Sequence, residues 1–379
     1  LAIPAPAKGL LLFDTTAGRF WVYDAGQWQP LLTSNDAWGT KGNTAINPYL
    51  NFIGTTDNQP LRFKVNNTWS GEINPITASV FYGISAGNET VSGIGNTAIG
   101  HSSASLNTSG GFNTAMGLNS LFNNQTGEYN TAIGERVLQF NTSTHNTGIG
   151  AEALRQNLAG SNNTAAGSFA LYNNTVGFFN SAFGYQALVS NNAGTTLTAI
   201  GYGADVTQDF RSNATAIGAE AKVDASNKVR IGNTSVSSIG GQVGWSTFSD
   251  GRYKNNIQQD VMGLAFILKL RPVTYSVDIP GLDNYFNNKK VADVKPTEQI
   301  SLKRQSGFVA QEVEAAALTV DFSFSGVDRP EKPEGLYALR YAEFVVPLVK
   351  AVQEQQLIIQ QLQKQIDLLE KRLAAIESK

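Results

Sequence analysis

Asn96-Thr97-Ala98-Ile99-Gly100 returns as Asn113-Thr-Ala-Met-Gly117, Asn130-Thr-Ala-Ile-Gly134, Asn146-Thr-Gly-Ile-Gly150, Asn163-Thr-Ala-Ala-Gly167 and Asn180-Ser-Ala-Phe-Gly184. Looser copies follow as Thr198-Ala-Ile-Gly201 and Thr215-Ala-Ile-Gly218. The closing glycines are 17 residues apart, except for one step of 16 from Gly134 to Gly150. From the second to the sixth copy a leucine lies four residues after the glycine: Leu121, Leu138, Leu154, Leu171 and Leu188. A repeat this short cannot hold a helical hairpin and suits one coil of a β-solenoid. Two short strands per coil are expected, with glycine at corners that need positive φ and asparagine stacked from coil to coil. Each coil offers little apolar matter, one Ile, Met or Phe and one Leu. A single chain buries little surface this way, so several chains are expected to share one core.

Composition narrows the classes around this array. Charged residues are 15% of 379, well below the usual quarter, while glycine is plentiful at 37. The length allows two or three domains. A net charge of −2 with no dense basic block predicts neither nucleic-acid nor anionic-membrane binding. Cysteine is absent, so no disulfide contributes, and two histidines argue against a zinc site; no cofactor is expected. No apolar run approaches the ~18 residues of a bilayer span, so no membrane insertion is expected. The chain opens at Leu1 with neither Met nor a charged leader, which reads as a processed or truncated product.

The flanks differ in texture. Residues 1–92 form an N-terminal hairpin and stalk region: Leu10 to Asp24 reads as two strands around a Thr-Ala-Gly turn, extended by Gln27-Trp28-Gln29-Pro30. Leu61 to Val65 alternates as a further strand. Phe20, Trp21, Tyr23 and Trp28 make either a ligand platform or, more commonly for such residues, the small core of a hairpin. Within the array, 93–225, Phe112, Tyr129, Tyr172, Phe178 and Tyr185 suit either sugar stacking or packing along the coil edges. A Gly-punctuated neck covers 226–248. Beyond it Val261–Leu270 reads as helix, Pro272–Val277 as strand, 281–305 as polar loop, and Gly307–Glu314 as strand running into helix. Over 347–379, Val352, Gln355, Ile359, Leu362, Ile366, Leu369, Leu373 and Ile376 step alternately by 3 and 4, the a/d spacing of a coiled coil. Those residue types fit two or three strands, and Gln355 at d fixes register at some cost in stability. The alternative is an amphipathic helix packed on its own domain.

Between neck and helix lies Ser249-Asp250-Gly251-Arg252-Tyr253-Lys254-Asn255-Asn256-Ile257. Spacing alone leaves Ser249 and Lys254 ordinary loop residues; their position at a seam between unlike regions marks them. This stretch, with Leu270-Arg-Pro-Val-Thr-Tyr275, Gly307-Phe-Val-Ala-Gln-Glu-Val313 and Tyr341 to Glu354, resembles the C-terminal intramolecular chaperone of phage endosialidases and tail fibres, the S74 peptidase family. Ala315-Ala-Ala-Leu318 departs from that family, whose members often carry proline there, and touches no catalytic position of the motif. The Asn-Thr-Ala-Ile-Gly array resembles the head repeats of YadA-like trimeric adhesins. Together the resemblances imply a mainly β homotrimer: a trimeric left-handed parallel β-roll, a small α/β chaperone domain over 249–346 and a parallel trimeric coiled coil over 347–379. The first also implies self-cleavage between Phe248 and Ser249. Ser249 is then the nucleophile, Lys254 its general base, and Asp250 and Arg252 hold supporting structural roles.

The implied chemistry sets a condition. A serine hydroxyl is a weak nucleophile until something takes its proton. A free lysine, with a pKa near ~10.4, is neutral in only about one copy in 2,500 at pH 7. A lysine base therefore needs burial or a neighbouring cation, for which Arg252 is a candidate. The dyad is expected to act only once the domain has folded and assembled, and only once per chain.

These readings converge on a trimeric fibre or adhesin-type structural protein, extracellular on a virion, phage-like tail fibre or bacterial surface, that meets a receptor or glycan of unknown identity. Like coils can pair one repeat out of step at modest cost. A non-repetitive domain sets the register, and cutting it away leaves a product held kinetically. The alternative is a bacterial cell-surface trimeric adhesin whose C-terminal domain trimerises but stays uncleaved. A membrane-anchored adhesin needs a C-terminal β-barrel, and the heptad helix counts against one. A glycosidase needs a carboxylate pair, and none recurs in the array.

Overall fold

The computed structural model describes residues 6–31, 42, 44, 46–47, 49–88, 90, 92–287 and 304–378. Leu11–Asp14, Arg19–Asp24 and Gln27–Pro30 form a three-stranded antiparallel sheet, as their alternation predicts. Phe13 faces Phe20 across one strand pair at 4.8 Å, and Tyr23 faces Trp28 across the other at 5.5 Å. These rings meet as cross-strand pairs, as in the hairpin-packing alternative, while Phe20 stays half exposed and Trp21 makes no such pair among the described residues.

A second sheet of twelve strands holds the array. Three antiparallel strands, Leu61–Val65, Thr68–Asn74 and Ser79–Tyr82, open it. Every later neighbour is parallel, one three-residue strand per coil from Thr97–Ile99 to Val229–Ile231, with about nine coils of 17 residues in all. The sheet thus continues past both ends of 93–225. Trp69 of the opening hairpin packs on the array core and its indole N–H donates to the Ala86 carbonyl at 2.7 Å. The outermost strand carries Lys64 and a bulge at Phe63/Lys64, two devices that blunt an open sheet edge.

Register puts like on like. Thr114 lies beside Thr131, and Ala115 beside Ala132. In each strand the alanine points inward: Ala98, Ala115, Ala132, Ala165, Ala182, Ala199 and Ala216 are fully buried. Leu121, Leu138, Leu154, Leu171 and Leu188 fill the rest. Ile99, Met116, Ile133, Ile149, Phe183 and Ile200 instead turn outward, 37–45% exposed, in one row down the solenoid. The motif's bulky residue therefore adds nothing to the core of its own chain.

Polar residues complete the interior in two ladders. Asn96, Asn113, Asn130, Asn146, Asn163 and Asn180 are buried, and each side-chain oxygen accepts the backbone N–H of the next coil at about the same spacing, as in Asn113 N–H to Asn96 Oδ1 at 3.0 Å. A second column, Asn107, Asn124, Asn141, Asn157, Asn174 and Asn191, runs parallel to it; Asn157 Nδ2 donates to Asn141 Oδ1 at 2.8 Å. Both columns converge on one row of carbonyls: Asn163 and Asn174 donate to Gly177 O at 2.8 and 3.0 Å. Dry amides are tolerable only when so fully paired. The 16-residue coil loses its residue here, in the turn from Asn141 to Ser143, where Asn141 Nδ2 reaches the Ser143 carbonyl at 2.7 Å. The ladder passes the gap unbroken.

The expected second strand of each coil does not form. Residues two apart on that side sit in the left-handed region, among them Asn119 and Leu121, Arg136 and Leu138, Phe169 and Leu171, and Gln186 and Leu188, with φ from 48° to 60°. Alternate left-handed residues fold the segment into turns, and extended pairing cannot continue through them. Only the last coils escape. Asp205–Val206 pairs with Lys222–Val223, and neither Asp205 nor Lys222 has positive φ. Asp205 is fully buried and accepts from the Ser190 and Val206 N–H groups and from Lys222. Desolvation pushes its carboxyl above the ordinary range, and the Lys222 charge pulls it back.

One pair of positions shows how tightly the coils fill. Val137 is fully buried where neighbouring coils carry Ser120 or Ala153, and Gly148 faces it where they carry alanine. A Cβ on Gly148 would lie 2.4 Å from Val137 Cγ1. Gly148→Ala is therefore expected to destabilise the array by about 1–3 kcal/mol, as overpacking does. Adding Val137→Ala should recover most of it in thermal unfolding; a double variant no better than the single one would refute the pairing.

The C-terminal segment is α+β. It contains α1 (Leu264–Ile267), α2 (Ile279–Asn287), α3 (Ala310–Leu318) and α4 (Val345–Glu377). Val273–Tyr275 pairs antiparallel with Gln305–Gly307, and Val327–Asp328 with Ala338–Leu339. Phe266, Val313, Ala316, Ala317 and Phe344 form its core. The helix expected over 261–270 is one turn, because it starts where α4 allows: the Leu264 N–H donates to Glu354 Oε2 at 2.7 Å, and Gly263 is pressed against Ala351. The loop expected over 281–305 contains α2 instead. Asp278 accepts the Gly281 N–H at 3.0 Å and Pro280 sits in the first turn, a start signal passed over in a polar stretch. The rest of that loop, 288–303, lies outside the described residues.

Candidate active site

Three of the four motif segments meet. Arg271 makes a two-pronged ion pair with Glu312, joining the Leu-Arg-Pro segment to α3, and holds that carboxyl below the usual range. Val273 pairs with Gly307, and the Phe308 N–H donates to Tyr341 Oη at 3.1 Å. Gly307 has no room for a side chain, since a Cβ would lie 2.3 Å from that same oxygen. The segment after Tyr341 then runs into α4.

The fourth segment, the seam, stands apart. Every residue from Ser235 to Asp260 is exposed, and Phe248 is wholly so. Gly251–Tyr253 makes one 3-10 turn capped by Asp250, whose Oδ1 accepts the Arg252 N–H at 2.9 Å. The turn carries Lys254 back toward Ser249: Lys254 Nζ donates to Ser249 Oγ at 2.7 Å. Five residues apart in sequence, nucleophile and base candidates are thus within one hydrogen bond. No second donor approaches Ser249 Oγ among the described residues.

Asp250 and Arg252 are bound to each other. Arg252 Nη2 lies 2.6 Å from Asp250 Oδ2, and its Nε is 3.0 Å from the same oxygen. That side-chain contact, helped by the Arg252 N–H, keeps the Asp250 carboxyl below its usual range and raises the guanidinium. Arg252, the candidate neighbouring cation for Lys254, has its guanidinium paired with Asp250. The pair closes the turn.

Along the array, Phe112 stacks on Tyr129 at 5.0 Å and Tyr129 on His145 at 5.0 Å. Tyr185 stacks on Tyr202, and Tyr172 Oη accepts from Arg155 at 3.0 Å. For Phe112, Tyr129 and Tyr185 ring faces meet coil on coil, as in the edge-packing alternative, whereas Phe178 packs edge-on against its neighbour Phe179. From Gln355 onward α4 is exposed, with Ile359, Leu362, Ile366, Leu369 and Leu373 at 47–61%. Its first turns pack on the domain, where Pro347 and Ala351 are buried and Glu354 Oε2 accepts the Leu264 N–H. Sequence reasoning passed over the contact of Arg211 with Glu331, 2.9 Å, which ties the array to the C-terminal segment across 120 residues; no motif announces so distant a pair. It also missed the second asparagine ladder, although its period is as plain as the first.

Among the described residues no helix is long and apolar enough to cross a membrane. Residues 249–321 match the family model described as the chaperone of endosialidase, Peptidase_S74, so the match begins at Ser249 itself. No curated protein and no solved structure matches the chain.

Proposed function

With an endosialidase-type chaperone at residues 249–321 behind a β-solenoid, we propose that this chain is one subunit of a trimeric, tail-fibre-like structural protein that cuts off its own assembly domain. The observation that carries the reading is Lys254 Nζ against Ser249 Oγ at 2.7 Å, on the first residue of the chaperone match. In the reactive form the neutral amine takes the hydroxyl proton along that line. Ser249 Oγ attacks the Phe248 carbonyl carbon, and the amide nitrogen leaves with a proton as the new terminus of Ser249. Water then opens the resulting ester, returning the hydroxyl to Ser249 and the carboxylate to Phe248.

Two apolar faces support the trimer. The outward Ile, Met and Phe row of a YadA-like roll and the exposed a/d face of α4 lie open in one chain, and both are covered when three chains associate. Assembly would also surround the seam and desolvate Lys254, so that cutting follows trimer formation. The finished fibre is extracellular and binds a surface receptor or glycan through the array.

Mass analysis of the purified chain after folding tests this. Fragments 1–248 and 249–379 are expected, the second beginning at Ser249. A chain that stays intact under conditions where it is folded and trimeric removes the peptidase activity and leaves the assembly role standing.

A further inference from the structure

Resting on that reading of the seam, we infer that the C-terminal segment stays on the array after the Phe248–Ser249 bond is gone, held by a charged clasp, and leaves only when ionic strength rises. The partner of this surface is the chain's own cleaved fragment.

The array side of the clasp consists of Gln208 and Arg211, in the turn before the strand Thr215–Ile217, and Thr234 just beyond the last strand. The segment side consists of Glu331 and Lys332, in the loop that follows Val327–Asp328, and Asp283 on α2. Arg211 Nη1 lies 2.9 Å from Glu331 Oε2, and its Nη2 donates to Gln208 Oε1 at 3.0 Å. Lys332 Nζ donates to that same Gln208 oxygen at 3.1 Å, and Thr234 Oγ1 bonds Asp283. Tyr285 and Leu336 close over the cleft beside Arg211 and Asp224. The Arg211 side chain is only 12% exposed, so the segment covers it.

No residue of 235–260 takes part in these contacts. The exposed strand between the bodies is a tether, and hydrolysing it leaves every contact in place. What changes is effective concentration: a tethered partner becomes a free one, retained by its own contacts and, in a trimer, by three clasps acting together. Arg211–Glu331, Lys332–Gln208 and Thr234–Asp283 cross between the bodies as charge-assisted hydrogen bonds, the kind that mobile ions weaken, while Arg211–Gln208 fixes the array side.

Gel filtration of the cleaved protein reads the clasp directly. At about 50 mM salt fragment 249–379 is expected to co-elute with 1–248, and at about 1 M, where screening acts within about 3 Å, to separate from it. Glu331→Arg should lower the co-eluting fraction at low salt at least about tenfold, since it sets like charges together. Combining it with Arg211→Glu should restore retention, which guards against a variant that merely misfolds. Free fragment at low salt in the wild type, or retention indifferent to the reversal, overturns the inference. If a denaturing gel shows one uncut chain, the cleavage reading has failed instead. A chain nicked by a site-specific protease at a site inserted between Gly240 and Gly241 then puts the clasp to the same two outcomes.

Discussion

Ser249→Ala is expected to give one chain of 40.6 kDa where the wild type gives two fragments. Removing the nucleophile of a covalent mechanism costs at least about 10³-fold, because water has no equally placed substitute. Lys254→Met keeps the length of the side chain and removes the base, a loss of about 10²–10⁴-fold. Lys254→Arg should not rescue it, since a guanidinium stays charged and cannot accept the proton. Asp250→Asn weakens the cap and the Arg252 pair, so a slower, still measurable cut is expected there. Mass spectra taken over hours after folding separate these cases. Persisting cleavage at the same bond in Ser249→Ala would rule out the assigned nucleophile.

Gly184→Ala should be among the most damaging single changes in the array. Its φ is +130°, beyond the left-handed well that Leu188 and other side chains occupy here, and a Cβ would lie 2.6 Å from the Gly201 carbonyl oxygen. Backbone strain of about 1–3 kcal/mol and a comparable steric cost add, because the obstacle is the backbone of the next coil and cannot rotate away. Gly203→Ala is the internal control: φ is +59°, and its nearest neighbour is Glu220 Cγ at 3.6 Å. That change should cost about 1–2 kcal/mol. Thermal unfolding of both full-length variants decides the matter, and equal losses would refute the close-approach account of the corner glycines.

Much of the architecture was legible because the repeat is self-referential. A 17-residue period with Gly, Asn and Leu at constant offsets admits few folds, and stacking like on like follows from the period alone. The opening hairpins and α4 were legible for the same reason: their alternation and heptads are local patterns. The second side of each coil was not. Leu138 and Leu171 lie on the side where a second strand is expected, and nothing in a leucine announces a φ near +50°. The coil enforces it, because only a turn there brings the next Asn back over its ladder.

The site divides in the same way. Sequence determined that Ser249 and Lys254 stand at the boundary between a repeating and a non-repeating region. Tertiary structure decided that the turn brings Nζ to Oγ, that Arg252 spends its charge on Asp250, and that the motif isoleucines face out while alanines face in. It alone decided that Arg211 would meet Glu331. The physical reason is one of range. Periodicity and capping act within a turn or a coil and are written in neighbouring letters, whereas the choice of face and of distant charge partner is made by what remains uncovered after the coils have stacked.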